Sequence, residues 1–152
     1  MRRTSTGFCT GVRSDRRRRY ERPVAAFNER DEKHDRALAL VEQLRRGEHG
    51  EAFTTDFILD EVVTVLLART GRHAAAVRAL DFIVPADPGT AWIALELVGE
   101  EAFFRALEMF RRSSRRELSF TDWTTVTVVR DGRADAVVSF DGDFDGIAAR
   151  IA

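Results

Sequence analysis

The stretch AVVSFDGDFDG, residues 136–146, sets Asp141, Asp143 and Asp145 on alternate positions. Carboxylates that share a pocket repel one another, and a divalent cation held by their oxygens is the usual remedy. Two other groups have the same character: Asp56, Asp60 and Glu61 in TTDFILDE, and Asp122 in LSFTD. Each follows a short β-prone or apolar segment. Ligands of open parallel sheets collect beyond the carboxyl ends of the strands. The order therefore predicts three groups of acids at one sheet edge, in position to bind a metal ion. The ordinary alternative is that these are surface acids and helix caps, because acidic residues number 25 among 152. Spacing alone leaves both open.

Three chemistries use acids in related patterns. D-x-D-x-D-G opens a calcium loop, but the twelfth position from Asp141 is Ala152 and not the required bidentate Glu. A phosphotransfer receiver site employs a lysine late in its sheet, whereas the lone lysine here is Lys33, in the first helical segment. A dehalogenase-like D-x-D pair belongs after the first strand, and this one follows the last. His34, His49 and His73 have no metal-ligand spacing and read as surface residues.

The elements that must position these acids alternate between helical and extended patterns. Apolar residues at 37, 38, 40, 41 and 44 predict a helix closed by Gly47. EAFTT reads as a strand, DFILDEVVTVLLARTG as a helix ending at Gly71, and RHAAAVRALDFI as a shorter helix. TAWIALELV reads as a strand, EEAFFRALEMFRRSSRR as an amphipathic helix, and ELSF as a short strand. TDWTTVTVVRDG alternates like a strand but opens with a Thr-Asp cap, and a crossover is needed before the next parallel strand, so it is assigned as a helix. ADAVVSF is an apolar run suited to a strand buried on both faces. This order implies an α/β fold with a parallel sheet covered on both sides.

Composition bounds the function. Apolar residues make up 44% and charged residues 32% of the chain, as in a soluble globular domain. No run approaches the roughly 18 apolar residues of a membrane helix. The single cysteine, Cys9, excludes a disulfide framework and suits a reducing cytoplasm, and no secretory leader pattern is seen. The net charge of −1 conceals a split. Residues 1–23 hold eight arginines against Asp15 and Glu21, a sum of +6, which leaves −7 for residues 24–152. The basic segment reads as an arm outside the domain, of a composition able to contact nucleic acid.

TTDFILDE, LSFTD and VVSFDGDFD, in that order and preceded by FNERDEKHDRALAL, resemble the PIN domain of VapC-type toxins over residues 24–152. The resemblance implies a three-layer α/β/α sandwich with a central parallel sheet. It also implies a Mg²⁺- or Mn²⁺-dependent endoribonuclease that leaves 3′-hydroxyl and 5′-phosphate ends. By position, the family's acids correspond to Glu61, Asp122 and Asp141, with Asp143 accessory, and these four are the catalytic and metal-binding expectation. Ser139, Thr55 and Asp56 match its polar positions, while Asp145 reads as a solvated turn residue. The implied partners are RNA, a cognate antitoxin protein and a second copy of the chain, in the cytoplasm. Arg111, Arg112, Arg115 and Arg116 are the best cluster for RNA phosphates, although arginines also suit a helix C-terminus.

One block of the pattern departs. The family begins with an apolar strand ending in Asp-Thr-Ser, whose Asp should fall at about residue 19, where this chain has Arg19 within DRRRRYERP. The first strand of the fold is thus apparently lost. If residues 16–22 are encoded CGT CGT CGT CGA TAC GAG CGT, a one-nucleotide shift reads Val-Val-Val-Asp-Thr-Ser-Val, the expected strand and acid. Residues 1–23 are accordingly expected to be out of frame and to lie outside the core. If the strand is truly lost, the alternative is a catalytically defective PIN-like module that binds RNA or protein.

Overall fold

The computed structural model describes residues 8–10, 18–20, 33–140 and 142–152. The segments 1–7, 11–17 and 21–32, and Asp141, lie outside the described residues, and with them Asp15, Glu21 and the FNERD part of the resemblance. Five helices are described: α1 (His34–Arg45), α2 (Asp56–Thr70), α3 (His73–Ile83), α4 (Glu100–Arg112) and α5 (Phe120–Arg130). The strands are β1 (Phe8–Thr10), β2 (Arg18–Tyr20), β3 (Glu51–Thr55), β4 (Ala94–Glu96), β5 (Ala136–Val138) and β6 (Arg150–Ile151). This is an α/β fold. No helix among the described residues is long and apolar enough to cross a membrane.

The strands form one sheet in the order β1-β5-β2-β3-β4, with β6 also paired to β5. Every pairing is parallel except the β1–β5 contact, which is antiparallel. The slot between β3 and β5, for which the sequence offers no apolar strand, is filled by Arg18–Tyr20: Arg19 lies level with Ala52 on one side and Ala136 on the other. Residues 1–23, expected outside the core, therefore contribute β1 and β2 to the sheet. Ladder hydrogen bonds come from main-chain groups, so the pairing itself can be made by any residue type with a backbone N–H.

The helical expectations hold for α1 to α5, including the ambiguous TDWTTVTVVRDG, which is α5. Gly71, at φ 62°, closes α2 in the left-handed conformation that glycine adopts without penalty. ELSF is a correction: Leu118 is buried in a loop, Ser119 is the N-cap of α5 and Phe120 is its first residue. A Ser followed three residues later by Asp makes a better helix start than a strand end. The strand β6 had no counterpart in the sequence reading.

The core runs between helices and sheet through Phe53 of β3, Ile58, Val62 and Leu66 of α2, Val126 and Val128 of α5, Val137 of β5 and Phe144. Helix α2 packs on α3, and α4 on α5. The last pair is also joined by Arg105 of α4, which donates to Asp131 just past α5. At the C-terminal edge, Arg150 donates through Nε to Asp145 Oδ1 at 2.7 Å and through Nη1 to the Ser139 carbonyl at 3.0 Å. Asp145 is therefore ion-paired as well as exposed.

Two outcomes follow. Ile58 has no solvent exposure, so Ile58→Ala should cost about 2–5 kcal/mol in denaturant unfolding. A loss well under ~1 kcal/mol would show that the site collapses around the smaller side chain. The hydrogen bond from Arg150 holds the Asp145 carboxyl below its ordinary pKa, with burial opposing. A depressed folded-state value stabilises above the unfolded pKa of about 3.9 and loses that effect as pH falls through the folded one. Asp145→Asn should thus melt earlier than the parent at neutral pH, with the gap closing as the medium is acidified below ~pH 4.

Candidate active site

Four stretches carry or border the expected acids: the β3–α2 junction, the start of α5, the loop after β5 and the loop after β4. Thr54 and Thr55 at the end of β3 are buried. The next residue, Asp56, turns its carboxylate to the backbone N–H of Val98 at 3.0 Å, tying the start of α2 to the segment after β4. Asp60 is exposed, and Glu61, in the second turn of α2, is half-buried.

Asp122 has no solvent exposure. Its Oδ2 accepts from both the N–H and the Oγ of Ser119, each at 2.7 Å, while the Asp122 N–H donates to Ser119 Oγ at 3.1 Å. This reciprocal box satisfies helix-terminal donors, and the positive end of the α5 dipole adds to the stabilisation of a carboxylate there. Asp122 thus stands in the first turn of the helix expected for TDWTTVTVVRDG, with the cap at Ser119 and no strand before it.

The starts of the two acid-bearing helices are held together by aromatic rings. Phe57 of α2 lies 5.8 Å from Phe120 of α5 and 6.0 Å from Phe103 of α4, and Phe103 lies 5.4 Å from Phe120. Phe110 adds an edge contact to Phe120 at 5.9 Å. Such tilted and edge-on pairs add to the burial of apolar surface. The sequence reading put Phe57 on a helix face and Phe120 at the end of the strand ELSF and did not connect them; Phe57 directly after Asp56, and Phe120 two residues before Asp122, were the available signal.

After β5, Ser139 is buried and its N–H donates to the Ile151 carbonyl at 2.9 Å. Asp141 lies outside the described residues. Asp143 is half-buried in a 3₁₀ turn over Gly142–Phe144. Three cations from three elements bind backbone carbonyls of this one segment: Lys33 at Phe140 (3.1 Å), Arg115 at Asp143 (3.3 Å) and Arg150 at Ser139 (3.0 Å). Arg36 also stands over the Phe140 ring, 5.5 Å from its centroid. Of the arginine cluster foreseen for RNA, Arg115 reaches the site and Arg112 pairs with Glu108. Lys33, Arg36 and Arg150 were not foreseen, since they come together only through the fold.

Carboxylate oxygens suit Mg²⁺ or Mn²⁺, and Asp122 and Glu61 supply that chemistry. Among the described residues, however, no three His, Cys, Asp or Glu side chains gather closely enough to hold an ion.

No protein-family model matches the chain, and no curated protein matches it. A search of solved structures does find a match, the crystal structure of Mycobacterium tuberculosis VapC20, a sarcin–ricin-loop-cleaving toxin. It superposes with a TM-score of 0.64 and 29% sequence identity, over 80% of this chain and 85% of that one. The order of the acid-bearing blocks, the sheet and this likeness agree: the chain is similar in fold and in sequence to a PIN-domain toxin of the VapC type.

Proposed function

We propose that this protein is a metal-dependent endoribonuclease in which Glu61, Asp122 and Asp141 hold Mg²⁺ or Mn²⁺, directly or through water, with Asp143 assisting. The observation that carries the reading is Asp122: a carboxylate with no solvent exposure, oriented by Ser119, on a helix whose first residue packs against the start of the helix that carries Glu61. When bound, the ion would polarise the scissile phosphate and lower the pKa of a bound water. Ser119 fixes the angle of the Asp122 carboxylate. Lys33, Arg36, Arg115 and Arg150 surround the segment 139–145 and supply the positive charge that RNA phosphates require on a domain whose sum is −7. The likeness to a toxin implies an antitoxin partner that neutralises or covers this same edge.

A second reading is favoured by a specific position. Arg19 lies in the central strand, level with Ala52 and Ala136, where the family resemblance calls for an acid. A chain that keeps Arg19 is a binding module with a depleted metal site. The frame-shifted reading of residues 16–22 reconciles the two, since it puts Asp at position 19 and apolar residues before it.

The reading is tested with the variant Arg16→Val, Arg17→Val, Arg18→Val, Arg19→Asp, Tyr20→Thr, Glu21→Ser and Arg22→Val, beside the parent chain. The restored variant should cleave RNA with Mn²⁺ or Mg²⁺ and stop with EDTA, whereas the parent should not cleave. Asp122→Asn in the restored chain should abolish cleavage with the fold retained by circular dichroism; full activity there would falsify the assignment. Ser119→Ala should weaken the chain by about 1 kcal/mol through the lost cap and lower the cleavage rate by misaligning Asp122.

A further inference from the structure

Among the cations around the segment 139–145, Arg150 stands apart because each of its three guanidinium nitrogens donates within the chain. Nε and Nη2 grip the two oxygens of Asp145, at 2.7 and 3.2 Å, in the forked geometry of a bidentate pair. Nη1 donates to the carbonyl of Ser139 at 3.0 Å. The Arg150 side chain is 23% exposed, against 60% for Asp145.

The residues joined in this way are themselves fixed. Arg150 lies level with Val137 in the pairing of β6 with β5. The carbonyls on either side of it, of Ala149 and Ile151, accept from the N–H groups of Val137 and Ser139 at 2.7 and 2.9 Å. Asp145 donates its own N–H to the Gly142 carbonyl at 2.9 Å. It follows Phe144, which has no solvent exposure. Lys33 and Arg115 bind carbonyls inside the segment, at Phe140 and Asp143. Arg150 instead ties its first residue to its last, and the interval closed in sequence contains both Asp141 and Asp143.

We propose that Arg150 is a positioning residue: it sets the loop that carries these two acids, and it does not contact RNA. Its charge adds to the field around the segment, but its bonds are directed at the protein. A phosphate that sought this guanidinium would have to displace a carboxylate already held by two bonds. The planar fork of arginine can span a carboxylate and a carbonyl together, whereas the compact ammonium of lysine has no such fixed fork. A loop tied at its ends has less freedom to lose when an ion draws its carboxylates together, so the tie strengthens metal binding. The proposal rests on the metal-dependent reading given above.

The test is a Mn²⁺ titration of the full chain restored at residues 16–22, with free Mn²⁺ followed by electron paramagnetic resonance. Arg150→Gln should weaken binding by roughly 10–100-fold, the usual loss when a group that orients metal ligands is removed. Arg150→Lys should not rescue it. Asp145→Asn should weaken binding in the same direction, and the double variant should bind no worse than Arg150→Gln, because the two residues share one contact. Asp145 is exposed, so its variant carries the same expectation if Arg150→Gln does not fold. Cleavage of RNA at saturating Mn²⁺ gives a second readout: Arg150→Gln should recover kcat, with KM for RNA unchanged. Ile83→Ala, a truncation in the core of α3, should leave Mn²⁺ affinity as it was, which separates loop positioning from general loosening. Arg150→Gln binding Mn²⁺ as tightly as the restored chain overturns the proposal. An equal loss in Ile83→Ala, or a raised KM at unchanged Mn²⁺ affinity, overturns it too. A restored chain that binds no Mn²⁺ overturns the metal-dependent reading itself, and the role of Arg150 with it.

Discussion

The reciprocal hydrogen bonding between Ser119 and Asp122 is the contact on which the arrangement of the site depends. It ends the loop after α4 and starts α5, and so brings a carboxylate out of water at the head of a helix. A buried acid is costly unless its oxygens are bonded, and here two donors from one residue meet one oxygen. The run from Trp123 to Val128 is buried, and Val128 lies in the same core cluster as Val137 and Phe144, just before and after the loop with the remaining acids.

Around this start the molecule pairs two kinds of glue. Phenylalanines from α2, α4 and α5 hold the heads of the acid-bearing helices at ring distances of 5.4 to 6.0 Å. On the other side, cations from α1, the loop after α4 and β6 bind carbonyls between Ser139 and Asp143. The first contact is apolar and sets spacing between helices. The second places positive charge beside carboxylates, which an enzyme acting on a polyanion needs and which a domain with excess acid must concentrate locally.

Much of the fold was legible in the chain, for separable reasons. The helices show their periodicity because one face of each must meet the core, and Gly71 marks a stop by a conformation that glycine adopts readily. EAFTT and AVV were legible as strands through their apolar and β-branched residues. ELSF misled because a four-residue window with Leu and Phe has no period to measure, while the cap that decides it spans Ser119 to Asp122. Strands β2 and β6 were not legible as strands: Arg-Arg-Tyr and Arg-Ile contain no apolar pattern, and their pairing is made by backbone groups that every residue carries.

The sequence by itself determined the order of the acids, the helices that carry Glu61 and Asp122, and the family to which those blocks point. These are local properties, written in spacing, caps and hydrophobic period. The tertiary structure alone decided that Asp122 is removed from solvent, that Asp56 is occupied by the Val98 N–H, and that Lys33, Arg115 and Arg150 converge on one loop. Those facts join residues up to 107 positions apart, and a contact at that separation depends on how whole elements pack. No window of sequence short enough to show a period can contain it.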